Sequence, residues 1–261
     1  MPDAAYTPVE IMTVTAARRL RNGTVCFVGI GLPSAAANLA RLTHAPEVIL
    51  IYESGTIGAK PGVLPLSIGD GELAETADTV VSVPEIFRYW LQAGRVDIGF
   101  LGAAQIDRFG NLNTTIIGGS YGAPRIRLPG AGGAPEIASA AKETAIILHH
   151  SRKAFVEKLD FVTTAGCLAP RARDGPRGRE RPATVITDLG ILVSDPAAGE
   201  LVLVSLHPGV TVEQVRAATG WDLRIAAALE TTPPPTPVEL AALRGLQART
   251  AAAHGAPTGS E

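Results

Sequence analysis

"VILIYESGTIGAKPG" occupies residues 48–62. The apolar run Val48–Tyr52 stops abruptly at one carboxylate, Glu53, and a stretch rich in Gly, Ala and Pro follows. A short unbroken apolar run with β-branched residues reads as a strand buried on both faces, as in parallel sheets. Its acidic end admits two readings. It can be an ordinary solvated strand end, or a carboxylate held rigidly at the rim of an α/β sheet, where ligands bind. On the second reading Gly55 and Gly58 leave room beside it.

Similar runs lie on both sides of this stretch. Residues 24–31, 47–52, 78–83, 96–102, 111–117, 144–150, 158–164, 183–188, 190–195 and 200–206 read as strands. Helical periodicity is predicted over 8–23, stopped by Gly23, and over 34–43 with Ser34 as N-cap. Further helices are predicted over 84–94 behind Pro84, over 211–220, and from Pro135 onward. Strands apolar on both faces, interleaved with helices, predict an α/β fold with an open, mainly parallel sheet flanked by helices on both faces. The short turn "DPAAGE" (195–200) adds some antiparallel strands late in the chain.

A chain of 261 residues with 46% hydrophobic and 18% charged residues can bury a sizeable core. The expected body spans 1–230. The run "TTPPPTP" (231–237) then forms an extended connector to an Ala-rich helix over about 238–253, so 231–261 reads as linker, helix and a frayed tail. The net charge of −2 gives no reason to expect nucleic acid as a partner. The two cysteines, Cys26 and Cys167, form no CxxC pair and suggest a reducing compartment. The longest apolar runs fall short of the ~20 residues that span a bilayer. With no N-terminal targeting pattern, the expectation is a soluble cytoplasmic protein without a membrane partner.

"VGIGLPS" (28–34) places Gly29 and Gly31 between a strand and a helix. A dinucleotide fingerprint would need its third glycine at Ser34, and the turn then serves either structure or a ligand facing its amides. "GGSYG" (118–122) matches G-x-S-x-G around Ser120. The residues after it include Pro124 and Pro129, so the helix a nucleophile elbow needs is missing. His44, His149, His150, His207 and His254 have no metal-ligand spacing, and adjacent His149 and His150 would point to opposite sides of a strand. "LPGAGGAPEIASA" (128–140) is more telling. Gly130, Gly132 and Gly133 precede a helix start, where bare amides and the helix field suit a developing negative charge. An ordinary glycine-rich loop is the alternative. The Arg-rich stretch 171–182, with Arg171, Arg173 and Arg177, reads as a solvated loop or as a contact for phosphates.

Taken together, "GIGLPSAAANLA" (29–40), "YESG" (52–55), "VDIGFLGAAQIDRFGNLN" (96–113), "PGAGG" (129–133) and "HPGVTVEQVRAATGWDL" (207–223) resemble the β subunit of class I coenzyme A transferases. Ser54 in place of the Asn of an E-N-G motif makes the glutaconate branch the nearer one. The resemblance implies that Glu53 is the nucleophile and that the amides of Gly132 and Gly133 stabilise the oxyanion. It implies that Gly29, Gly31, Ser54, Gly55, Gln105, Asn111 and Gly130 contact substrate or coenzyme A. Asp107 is expected to hydrogen-bond structurally. No permanently bound cofactor or metal is implied; an acyl-CoA thioester and a free carboxylic acid are the substrates. The site is shared with an α subunit, in an α2β2 assembly. Two other readings stay open: a CoA-thioester or ring-cleaving hydrolase on the same scaffold, and a non-catalytic ligand-binding relative.

Overall fold

The computed structural model describes residues 6–166, 182–195 and 197–254. Cys167, the arginines of the 171–182 stretch and the tail expected to fray lie outside the described residues. The first half contains α1 (Pro8–Ala17), β1 (Val25–Phe27), α2 (Leu32–Leu42), β2 (Ile49–Ile51), β3 (Thr56–Ile57), α3 (Gly71–Glu75), β4 (Thr79–Val80) and α4 (Val83–Glu85). The last runs directly into a π-helical segment, Ile86–Gln92. Then come β5 (Ile98–Leu101), β6 (Gln105–Ile106), β7 (Leu112–Asn113), β8 (Ile116–Ser120), β9 (Ala123–Arg127), α5 (Ala134–Ala140) and β10 (Glu143–Ile147). The remainder is β11 (Ala183–Ile186), β12 (Gly190–Asp195), β13 (Glu200–Leu206), α6 (Val212–Ala218), β14 (Arg224–Thr231) and α7 (Pro237–His254).

Among the described residues ten strands form one sheet in the order β14-β13-β12-β11-β10-β5-β1-β2-β3-β4. The centre, β11-β10-β5-β1-β2, is parallel throughout. The β11-β12-β13 hairpins and the β2-β3-β4 turn-backs are antiparallel. This is the mixed, mainly parallel sheet that the sequence predicts. Successive residues of a strand point to opposite faces, and two cores result. Cys26, Leu50, Phe100 and Ile147 pack under α1, α2 and α7 on one face. Phe27, Ile51, Leu101 and Ile146 pack under the π-helical segment and α5 on the other.

Several boundaries differ from expectation. Ser34 does not cap α2: Gly31 does, and Ser34 is buried within the first turn. Residues 158–164 form no named strand; only Thr164 bridges to Leu112. Their polar groups instead brace the 105–116 region, Asp160 through Gln105 and Thr163 through Thr114. The stretch after Glu53 runs without helix or strand over 58–70, but not from its start. It turns back at once into β3, paired antiparallel with β2.

The C-terminal helix packs on the body through Leu240, Leu243 and Leu246. Arg18 donates to both carboxylate oxygens of Glu239 at 2.8 and 2.7 Å, and Arg244 grips Glu10 in the same way. Burial opposes ionisation of Glu239, but Arg18 and the Thr236 hydrogen bonds outweigh it and hold the pKa down to about 2. A carboxyl depressed in the folded state adds stability above its unfolded value, about 4.3, and loses it as pH falls toward the folded value. The Arg18→Ala variant should therefore be less stable than wild type at pH 7, with the gap closing between about pH 4.3 and pH 2. Urea midpoints followed across that range check this; a gap of constant size would contradict the assignment.

Candidate active site

The parallel centre of the sheet contains a change of direction. From β1 the chain crosses through α2 to β2 on one side, whereas β5 lies on the other side of β1. In open α/β sheets such a switch point opens a crevice at the carboxyl ends of the strands. Here it is a cavity of about 360 Å³. Its walls come from the ends of β1 (Gly29), β2 (Glu53) and β5 (Gly102), and from Gly130 and Ala131 in the loop before α5.

Glu53 sits in the tight turn between β2 and β3, closed by the Gly55 N–H donating to the Tyr52 carbonyl at 3.0 Å. Tyr52, immediately before it, is fully buried, and its hydroxyl lies 3.2 Å from Ser34 Oγ and 3.4 Å from Asn38 Nδ2. The strand end is thereby fixed to α2, and the half-buried carboxylate faces the cavity. From the loop whose Gly130 and Ala131 form the opposite wall, the Gly133 N–H donates to Glu53 Oε1 at 2.8 Å. Gly132 adopts a φ of +49°, in the left-handed region that glycine enters at little cost. A Cβ on Gly133 would lie 2.6 Å from Glu53 Oε1 and 2.7 Å from Phe87 Cζ, so no other residue fits without displacement. The loop's other end is tied to Thr114, whose Oγ1 donates to the Gly130 carbonyl at 2.8 Å and whose carbonyl accepts from Gly130 N.

Of the residues singled out in the sequence, Glu53, Gly29, Gly130, Gly132 and Gly133 come together here. Gly31 does not line the cavity; with a φ of +80° it caps α2. Gly55 and Gly58 leave no room beside Glu53, which corrects that expectation. A Cβ on Gly55 would collide with the Val81 carbonyl, and one on Gly58 with the Asp78 carboxylate. Ser54 Oγ is buried without a hydrogen-bond partner among the described residues. Gln105 and Asn111 lie outside the cavity lining, and their polar groups are engaged elsewhere. Gln105 bonds Asp160 and Asn113, and Asn111 bonds Asp107 and the Gly166 amide. Asp107 is structural as expected: it accepts from the Phe109 and Asn111 amides, while burial raises its pKa.

The remaining motifs separate from the site. Ser120 ends β8, and β9 follows it in a hairpin, so no nucleophile elbow forms. His150 is stacked on Phe155 at 3.6 Å, bonded to Thr219 Oγ1 at 2.9 Å, and brought down to a pKa of about 4 by burial. His207 is likewise buried, with Nε2 on the Thr187 carbonyl. Among the described residues no group of three or more His, Cys, Asp or Glu is placed to hold a metal ion. No helix among them is long and apolar enough to cross a membrane. Sequence reading missed Thr114, placed inside a predicted strand, and Phe87, placed in an ordinary helix.

Residues 9–218 match the Coenzyme A transferase family. The B subunit of the 3-oxoadipate CoA-transferase of Pseudomonas knackmussii is 63% identical over 99% of this chain and 100% of its own length. The B subunit of the glutaconate CoA-transferase of Acidaminococcus fermentans is 38% identical over 88% of each chain. The crystal structure of that glutaconate enzyme superposes with a TM-score of 0.84, covering 92% of this chain and 94% of the other. The match spans both walls of the cavity, Glu53 on one and Gly130 and Ala131 on the other, and the chain belongs to the coenzyme A transferase family as a β-type subunit.

Proposed function

We propose that this chain is the β half of an enzyme that moves coenzyme A from an acyl-CoA to a free carboxylic acid through a thioester on Glu53. An α subunit, expected in an α2β2 assembly, completes the site. The observation that carries this reading is the 2.8 Å hydrogen bond from Gly133 to one oxygen of Glu53, which distinguishes the two oxygens. Oε2 attacks the acyl carbonyl carbon, the C–S bond breaks, and coenzyme A leaves as thiolate from a mixed anhydride. The thiolate then attacks Glu53 Cδ. The Cδ–Oε2 bond breaks, and the released acid carries Oε2 away.

During that second attack negative charge develops on Oε1, where the Gly133 amide already points. A preorganised donor of this kind supplies about 3 kcal/mol of transition-state stabilisation. An acceptor acid reverses both steps and restores the carboxylate with one of its own oxygens. The overall reaction exchanges one coenzyme A thioester and one free acid for another such pair, so no ATP is consumed. A carboxylate is ionised at neutral pH and needs no separate base. The apolar walls, Val28, Ile30 and Phe100 among them, shield the thioester from water once a partner covers the mouth.

The 63% relative acts, by its name, on 3-oxoadipate, and the same 3-oxo dicarboxylic acid is the acceptor proposed here. In the reconstituted αβ complex, succinyl-CoA, the donor named for a related subunit, should pass its coenzyme A to 3-oxoadipate, giving 3-oxoadipyl-CoA and free succinate, only when 3-oxoadipate is present. Release of free coenzyme A at full rate without an acceptor acid would identify a hydrolase instead.

A further inference from the structure

Both catalytic turns lean on one short piece of chain. At its start, Val81 N–H donates to the Gly55 carbonyl at 2.9 Å, closing over the turn that carries Glu53. The Val81 carbonyl fills the space a side chain at Gly55 would need. At its end, the Phe87 ring lies against Gly133, within 2.7–2.8 Å of where a Cβ there would stand. Ser82 caps the helix between the two contacts, accepting from the Glu85 amide at 3.4 Å. Residues 81–87 thus run from the nucleophile's turn to the amide's turn, and both glycines are required by that close approach.

Phe87 is itself held firmly. Its ring packs on buried Phe27 of β1 with centroids 5.7 Å apart and planes inclined at 53°. It lies in the π-helical segment Ile86–Gln92, whose Ile86 and Leu91 are buried in the core shared with α5. A π-helical turn shifts side-chain directions relative to an α-helix, and such turns are frequent at functional sites. An aromatic ring with few rotamers makes a stiff spacer.

We propose that Phe87 is a positioning residue, a spacer that sets the separation between the Glu53 carboxylate and the Gly133 amide. The proposal rests on Glu53 being the nucleophile. Loss of the ring frees the glycine turn to move toward the vacated space, and misplacement by about 1 Å can cost roughly 100-fold in rate. Phe87 is not among the residues that line the cavity, so KM should hardly change.

The test uses the αβ complex with wild type, Phe87→Ala and Phe87→Leu. The Glu53 adduct is trapped by borohydride and quantified by peptide mass, so that rates are counted per competent site. Phe87→Ala should discharge the adduct about 100-fold more slowly, with KM within about threefold of wild type. Phe87→Leu, which refills part of the vacancy, should fall between the two. A purely structural role would reduce the number of competent sites and leave the rate of each unchanged. Wild-type discharge rates in Phe87→Ala would overturn the spacer. Absence of any adduct on position 53 in wild type would overturn the underlying reading instead. If Phe87→Ala does not assemble, Phe87→Leu supplies the same comparison with a smaller vacancy.

Discussion

Replacing Glu53 by glutamine should lower transfer by roughly 10⁴-fold or more, the scale on which loss of a covalent nucleophile is felt. The amide keeps an acceptor oxygen for the Gly133 N–H, which is 2.8 Å away in the native site. The turn is closed by backbone, from Gly55 N to the Tyr52 carbonyl, and contains no side-chain bond that the substitution breaks. Folding and assembly with the α subunit should therefore be retained. Steady-state rates and size-exclusion profiles of the reconstituted complex give the two readouts. Mass analysis after borohydride should show the wild-type label on the peptide containing Glu53 and none on that peptide in the variant. Transfer within tenfold of wild type would end the case for this carboxylate.

The second large effect is expected at Gly133. In Gly133→Ala the new methyl would stand 2.6 Å from Glu53 Oε1 and 2.7 Å from Phe87 Cζ, so the carboxylate, the ring or the loop must move. Overpacking of this kind costs about 1–3 kcal/mol of stability, and a displaced donor should cost about 10²–10³ in kcat. Its neighbour provides the control. In Gly132→Ala the nearest carboxylate atom is Glu53 Oε2 at 3.5 Å, an ordinary contact, and the penalty is conformational, about 1–2 kcal/mol for a left-handed φ. Gly132→Ala should thus cost stability with less than about a tenfold loss of rate, and Gly133→Ala the reverse in emphasis. Equal losses of kcat at the two positions would show that the loop acts as one flexible unit rather than through a single aimed amide.

The candidate site was partly legible because the residues that form it are concentrated in short, odd-looking stretches. An apolar strand interrupted by one acid marks out Glu53, and a cluster of glycines before a helix start does the same for Gly133. That the two meet is a tertiary fact between positions 80 residues apart. Phe87 and Thr114 look ordinary in the sequence, because an aromatic in a helix and a hydroxyl beside a strand have common structural explanations. Their roles come from what lies opposite them. Gln105 and Asn111 show the converse: polar residues in a motif-rich stretch whose hydrogen bonds go to their own neighbours, Asp160 and Asp107.

The fold was legible for related reasons. The central strands are apolar on both faces, so their pattern survives without knowledge of partners. Strand β9 was hidden by Pro124, which an isolated two-stranded hairpin tolerates. Strand β14 was hidden by its three alanines, helix formers that edge pairing with β13 overrides. The stretch 158–164 had the composition of a strand, yet its hydrogen bonds are spent bracing the segment beside the cavity.

The C-terminal helix reaches further than its packing on α1. Thr250 Oγ1 accepts from Leu64 N–H at 2.9 Å, and Arg249 Nε donates to the Gly62 carbonyl at 3.1 Å, holding the stretch that leads to Ile68 at the cavity wall. On the ribosome, the segment around Leu64 must therefore wait for one made 186 residues later. Contacts of such wide sequence separation slow folding, and the waiting surface of α1 and α2, which α7 later covers, is apolar. A nascent chain halted before residue 237 should accordingly hold a folded central sheet with that surface bare, the kind of state that chaperones engage.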